Sequence, residues 1–197
     1  MVKKAQSNIP QLLKQNLISL LNTLPIHKIH ITQLCKISHI NRATFYAYYS
    51  DIYELLHDIE KDIIAEICEL MNNTDYSISK SAYITECFFT YIYEHRSIVR
   101  VLLSNGNQTD FASDINEVLT NLLRKSVYIQ YDIPEDLPLN KLNDILSFIV
   151  FGHYAFYVQF FISADELNKD MILDAAKTCS ELSEICLKNY LKLKSDK

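Results

Sequence analysis

The residues with the most chemistry to offer stand together in Ile40-Asn41-Arg42-Ala43-Thr44-Phe45-Tyr46-Ala47-Tyr48-Tyr49. Arginine can grip guanine bidentately, threonine can touch either base edge, and tyrosine hydroxyls can reach phosphate. Asn41 suits a helix N-cap, because its side-chain oxygen can accept an orphan N–H from the first turn. Counted from that cap, Phe45 and Tyr49 fall four apart and face a core. Arg42, Thr44, Tyr46 and Tyr48 are left on the outer face. A helix this short does not persist alone, so it is expected to be held by neighbours and to enter a DNA major groove. The bland alternative is the solvated face of a helical interaction protein, and idle exposure of tyrosines argues against it.

Two further elements are needed to hold that helix. Ile31, Leu34 and Cys35 recur at spacings of three and four and predict a short preceding helix. Ile40 in the intervening turn is expected to be buried between the two. Upstream, Pro10 fits a first helical turn, and Leu13, Leu17, Leu20, Leu21 and Leu24 form a stripe that can pack on the pair. Three helices around a small core, the third exposed, make a helix-turn-helix domain. A long helix follows from Asp51, with Ile52, Leu55, Leu56, Ile59, Ile63, Ile67 and Leu70 on one face.

Ile31-x-x-Leu34-Cys35, the run from Ile40 to Tyr49 and the helix opening Asp51-Ile52-Tyr53-Glu54-Leu55-Leu56 resemble the N-terminal domain of TetR/AcrR-type regulators. The Thr44-Phe45-Tyr46-x-x-Tyr49 pattern is the most specific part, and the likeness covers about residues 8–60. Leu102-Leu103-Ser104-Asn105-Gly106 and Phe148-Ile149-Val150-Phe151-Gly152 further resemble a branch common in low-GC Gram-positive bacteria.

The resemblance implies an all-α chain with a DNA-binding domain over 1–57 and a helical effector-binding and dimerisation domain over 58–197. It implies a ligand-responsive dimeric repressor on a palindromic operator, with Thr32, Gln33, Asn41, Arg42, Ala43, Thr44, Tyr46 and Tyr48 at the DNA. Two positions depart from the family pattern. His30 stands where threonine usually caps the second helix, and Ile52 stands where lysine commonly grips phosphate. The backbone N–H groups at the start of the Asp51 helix are the expected substitute.

The net charge of −5 is unevenly divided. Residues 1–57 hold six Lys/Arg against two acids, giving +4, and the remainder holds 13 against 22, giving −9. A basic head on an acidic body suits a chain that meets phosphate at one end only. Two glycines and four prolines leave little chemistry for β-turns. Five cysteines (35, 68, 87, 179 and 186) form no Cys-x-x-Cys pair and read as small buried hydrophobes in a reducing cytoplasm. No signal peptide is expected at the N-terminus.

In the body, residues 139–163 are apolar on nearly every side but are interrupted by His153 and Gln159. A helix covered by its own domain on one face and by a second subunit on the other fits this better than a membrane span. With the helix over 168–193 it is expected to build a two-subunit four-helix bundle.

The aromatic clusters are first of all core. Their functional reading, supported by the resemblance, is an apolar pocket for an unknown small-molecule effector, lined by Tyr83, Phe88, Tyr91, Phe151, His153 and Tyr154. His27-Lys28-Ile29-His30 lacks the carboxylate or thiolate partners that a metal needs. No phosphate loop, nucleophile elbow or His-Glu-x-x-His occurs, so neither an enzyme nor a cofactor is expected. The rival reading is a helical protein-interaction or ligand-carrier module that does not bind DNA.

Overall fold

Nine α-helices and one short strand pair make up the described part of this computed structural model, residues 9–72, 81–104, 111–163 and 168–193. In chain order these are α1 (Ile9–Leu21), a 3-10 turn (Ile26–Lys28), α2 (Ile31–Ile37), α3 (Arg42–Tyr46) and α4 (Ile52–Asn72). Then come α5 (Ser81–Glu94), α6 (Arg96–Ser104), α7 (Phe111–Gln130), β1 (Tyr131–Asp132), α8 (Leu139–Ser163), α9 (Lys169–Lys188) and β2 (Lys192–Leu193). The all-α class that the resemblance implies is what the chain adopts. The only strands among the described residues are two residues long and pair antiparallel, Tyr131 opposite Leu193 and Asp132 opposite Lys192.

The chain divides into two compact units, 1–63 with 97–111, and 64–96 with 112–197. The division falls inside α4, six residues beyond the boundary read from the sequence, and it adds 97–111 to the first unit. The helix is continuous there, so composition carries no mark of the change.

In the first unit, Leu13 and Leu17 of α1, Leu34 of α2, Phe45 of α3, and Leu55 and Leu56 of α4 are wholly buried. Each contributes about 1.5–3 kcal/mol by leaving water. The helix-turn-helix is therefore a packed trihelical core with α4 as its floor. The leucine stripe ends earlier than expected. α1 stops at Leu21, because Leu24 precedes Pro25 and the residue before proline is driven from helical backbone.

A polar clamp runs beside this core. Lys14 is 8% exposed, and its Nζ lies 2.8 Å from Asp58 and 2.6 Å from Asp62, while the Tyr49 hydroxyl donates to Asp58 at 2.7 Å. Burial pushes the Asp58 carboxyl up, but hydrogen bonds from Lys14 and Tyr49 outweigh it and hold the group below its usual range. Lys14 thus fastens α1 to α4. One of the six basic residues counted for the head is turned inward and is not on offer to phosphate.

In the second unit α9 packs on α5 and α8. Val127, Tyr131, Leu142, Ile145, Leu146, Ile149, Leu187 and Leu191 close one end of it. α8 and α9 each keep a second apolar face. Phe148 and Phe151 on α8, and Leu182 and Ile185 on α9, are exposed, Phe148 by 71%. The all-round apolar character of α8 thus resolves into one face packed in its own chain and one face uncovered.

Candidate nucleic-acid interface and ligand cavity

The turn between α2 and α3 sets the pose of the exposed helix. Ile40 N–H donates to Cys35 O at 3.0 Å and His39 N–H to Lys36 O at 3.3 Å, the paired bonds of a Schellman C-cap. The residue at its left-handed position is His39, with φ 52°. Glycine normally takes that position, since a Cβ there costs about 1–2 kcal/mol. Asn16 Nδ2 donates to Ser38 Oγ at 2.9 Å and ties α1 to the same turn. Replacing His39 by glycine is expected to raise unfolding free energy by about 0.5–1 kcal/mol, the relieved strain less the extra unfolded-state entropy of glycine. His39→Val should lower it. Equal denaturation midpoints for all three proteins would show that the turn carries no strain.

Asn41 caps α3 as expected, its Oδ1 accepting from Thr44 N–H at 2.8 Å and from Thr44 Oγ at 3.0 Å. The threonine hydroxyl is therefore tied to the cap, and its side chain is half-buried. Arg42 extends along the helix to Tyr46, donating from Nη2 to the phenolic oxygen at 3.0 Å, with its guanidinium 5.7 Å from the ring centroid. That hydrogen bond raises the already high pKa of Arg42 further. Arg42, Ala43, Tyr46 and Tyr48 are exposed on α3 and the turn after it, Tyr46 by 47%. On α2, Thr32 is exposed and Gln33 half-buried.

Three residues that the sequence reading did not assign to DNA share this surface. His27, His30 and Tyr53 line one shallow hollow with Thr32, Arg42 and Asp51. Tyr53 directly follows the Ile52 noted for its lack of charge, and its position beside that residue was the available signal. His30 occupies the N-cap of α2 but makes no side-chain cap bond.

The start of α4 differs from expectation. Asp51 Oδ1 accepts from Glu54 N–H at 2.8 Å, and Glu54 Oε2 accepts from Ser50 N–H at 2.6 Å. The Ser50 bond holds the Glu54 carboxyl below its ordinary range. Two carboxylates occupy the helix start where a phosphate oxygen was anticipated, and they repel an anion there. The Asp51-x-x-Glu54 spacing announces such a cap, with Glu54 reaching back to Ser50 N–H one residue before Asp51.

The second unit contains a cavity with about 70 Å³ of space for water centres. Met71, Phe88, Leu119, Leu122, Leu123 and Val150 line it, with Thr85, Ser126, His153 and Ser183 as its polar side chains. Of the residues anticipated for a pocket, Phe88 and His153 are there. Tyr91 is buried elsewhere and donates to Glu66 at 2.7 Å. Phe151 and Tyr154 lie along an open groove with α7 residues. The Tyr83 side chain is outside the described residues.

His153 is fixed by α9. Its Nε2 lies 3.1 Å from the Cys179 carbonyl and 2.7 Å from Ser183 Oγ, and Ser183 Oγ donates to the same carbonyl at 2.7 Å. A carbonyl only accepts, so Nε2 carries the proton and Nδ1 is the acceptor of the neutral ring. Burial lowers the pKa of His153 against the opposing effect of the Cys179 bond, and burial pushes the Cys179 thiol up to about 11.

Among the described residues no helix is long and apolar enough to cross a membrane, and no group of three or more His, Cys, Asp or Glu is placed to hold a metal ion.

Compared with solved structures, the chain superposes on a protein assigned to the TetR family of transcriptional regulators from Syntrophomonas wolfei. The TM-score is 0.65 at 12% identity, over 90% of this chain and 96% of that one. The fold is TetR-like. A second such structure is the dihydroxyacetone kinase operon activator DhaS, with TM-score 0.58, 19% identity, and 92% and 96% of the two chains covered. No protein-family profile matches the sequence, and no curated protein matches it at a significant level.

Proposed function

We propose that the chain is a DNA-binding transcriptional regulator that acts as a homodimer and responds to a small molecule. The observation that carries this is α3. A five-residue helix with a capped start and a fully buried Phe45, together with the turn after it, presents Arg42, Ala43, Tyr46 and Tyr48 outward from a packed trihelical core. Side chains of this kind read base edges and bind phosphate. The TetR-like fold and the regulatory roles given to both structural neighbours support the reading.

In this reading two recognition helices enter successive major grooves of a palindromic site, about 34 Å apart. The uncovered apolar faces of α8 and α9 supply the subunit contact. Met71 of the cavity lies on α4, the helix that begins beneath the helix-turn-helix. An occupant that favours one setting of α4 would change the separation of the two heads and so weaken DNA binding. Repression is the mode proposed. The activator among the structural neighbours makes activation the alternative that a reporter assay decides.

The test is capture of fragmented genomic DNA by the full-length protein in buffer of stated salt, followed by sequencing. Enrichment of fragments sharing an inverted repeat is the expected result. Uniform recovery, or none at low salt, would overturn the regulator reading and favour a helical interaction or carrier module.

A further inference from the structure

The cavity of the second unit restricts what can occupy it, and the restriction follows from charge, size and the state of His153. None of its described lining residues is an acid, a lysine or an arginine. Against a neutral imidazole, an anion or cation entering it would lose hydration and meet no counter-charge. At about 10–15 Å³ of such space per water, 70 Å³ corresponds to about five to seven waters, or one organic molecule of about six to nine heavy atoms.

The polar group best placed to select an occupant is His153. Its Nε2–H is committed to Cys179 O and Ser183 Oγ, which leaves Nδ1 as an acceptor that no described residue occupies. Such a ring asks for a donor. From these observations we infer that the site takes a small neutral compound with an apolar body and one hydroxyl, the hydroxyl donating to His153 Nδ1 and the body lying among Leu119, Leu122 and Val150. This rests on the effector reading above and gives that effector a chemical class.

The probes are p-cresol, toluene and benzoate, compared on the full chain by thermal shift and calorimetry. A saturable rise in Tm is expected with p-cresol, a weaker one with toluene, and none with benzoate at equal concentration. His153→Phe should weaken p-cresol binding about three- to tenfold, the worth of one hydrogen bond, and leave toluene unchanged. Val150→Phe fills the cavity and should abolish both responses. Leu122→Phe does the same from α7 and serves if the first variant does not fold.

Benzoate binding as well as p-cresol, p-cresol binding that survives both filled variants, or no response to p-cresol would each overturn the inference. Genomic capture by the same preparation separates the two ideas. DNA binding without cavity binding overturns the ligand class alone, and cavity binding without DNA binding overturns the regulator reading alone.

Discussion

Arg42→Ala should abolish most of the protein's sequence preference while leaving its fold and its non-specific DNA binding nearly intact. Arg42 is exposed and its guanidinium bonds the Tyr46 hydroxyl, so removing it disturbs no core. A bidentate arginine–guanine contact corresponds to about ten- to hundredfold discrimination between bases, and a dimer presents the contact twice. Titrating a captured site against a shuffled one separates the specific term from the charge term. The wild type should lose affinity steeply with salt for both sequences, whereas the variant should lose the difference between them. Tyr48→Phe, in contrast, removes only a hydroxyl and should weaken binding to both sequences alike. An unaltered preference in the arginine variant would place base reading elsewhere, with Thr32 and Tyr53 the next candidates on the same hollow.

The free Arg42–Tyr46 pair adds a point to this experiment. To reach a guanine, the guanidinium must exchange its phenolic partner for the base. Tyr46→Phe removes that competing bond and keeps the ring beneath the charge. A loss of affinity is the expected outcome, since Tyr46 is proposed at the DNA, and a modest gain would show that its phenol only competes with the base for Arg42.

The helix-turn-helix was legible because its signals are local. Asn41 as a cap, Phe45 and Tyr49 as inward residues, and the apolar spacing of α2 each follow from a 3.6-residue period and from capping chemistry. The inward turn of Lys14 was not legible. Its partners Asp58 and Asp62 lie more than forty residues away, and a lysine in an amphipathic stripe reads as solvated until the neighbouring helix is in place. His39 at positive φ was hidden for a related reason. Sequence marks a left-handed position by glycine or asparagine, and this chain uses neither there.

The cavity of the second unit was half legible. Aromatic richness in α5 and α8 is what drew attention to Phe88 and His153, and both line the cavity. The same richness also drew in Tyr91, Phe151 and Tyr154, which do not. A helix that is apolar on both faces gives no period from which to read its rotation. On α8 only packing tells that Val150 and His153 face inward while Phe148 and Phe151 do not.

That outward face carries the second large effect. Phe148→Glu should leave each subunit folded and split the dimer. Within one chain Phe148 is 71% exposed, so a carboxylate there is hydrated in the monomer. In an isologous contact the same substitution is buried twice against Phe151, Leu182 and Ile185 of the two copies. Each unpaired buried charge costs about 3–5 kcal/mol. Two of them exceed what a micromolar dimer can lose and still assemble at working concentration. Sedimentation at micromolar protein should show a dimer for the wild type and a monomer with an unchanged helical spectrum for the variant. DNA affinity should fall with it, because linking two modest heads adds about 10²–10⁴ in avidity. Ile185→Glu on α9, where the side chain is 59% exposed, should behave in the same way. A wild-type monomer, or a variant that stays dimeric, would move the subunit contact off this face. The uncovered apolar residues of α8 and α9 would then require a different partner, and two recognition helices could no longer be paired through them.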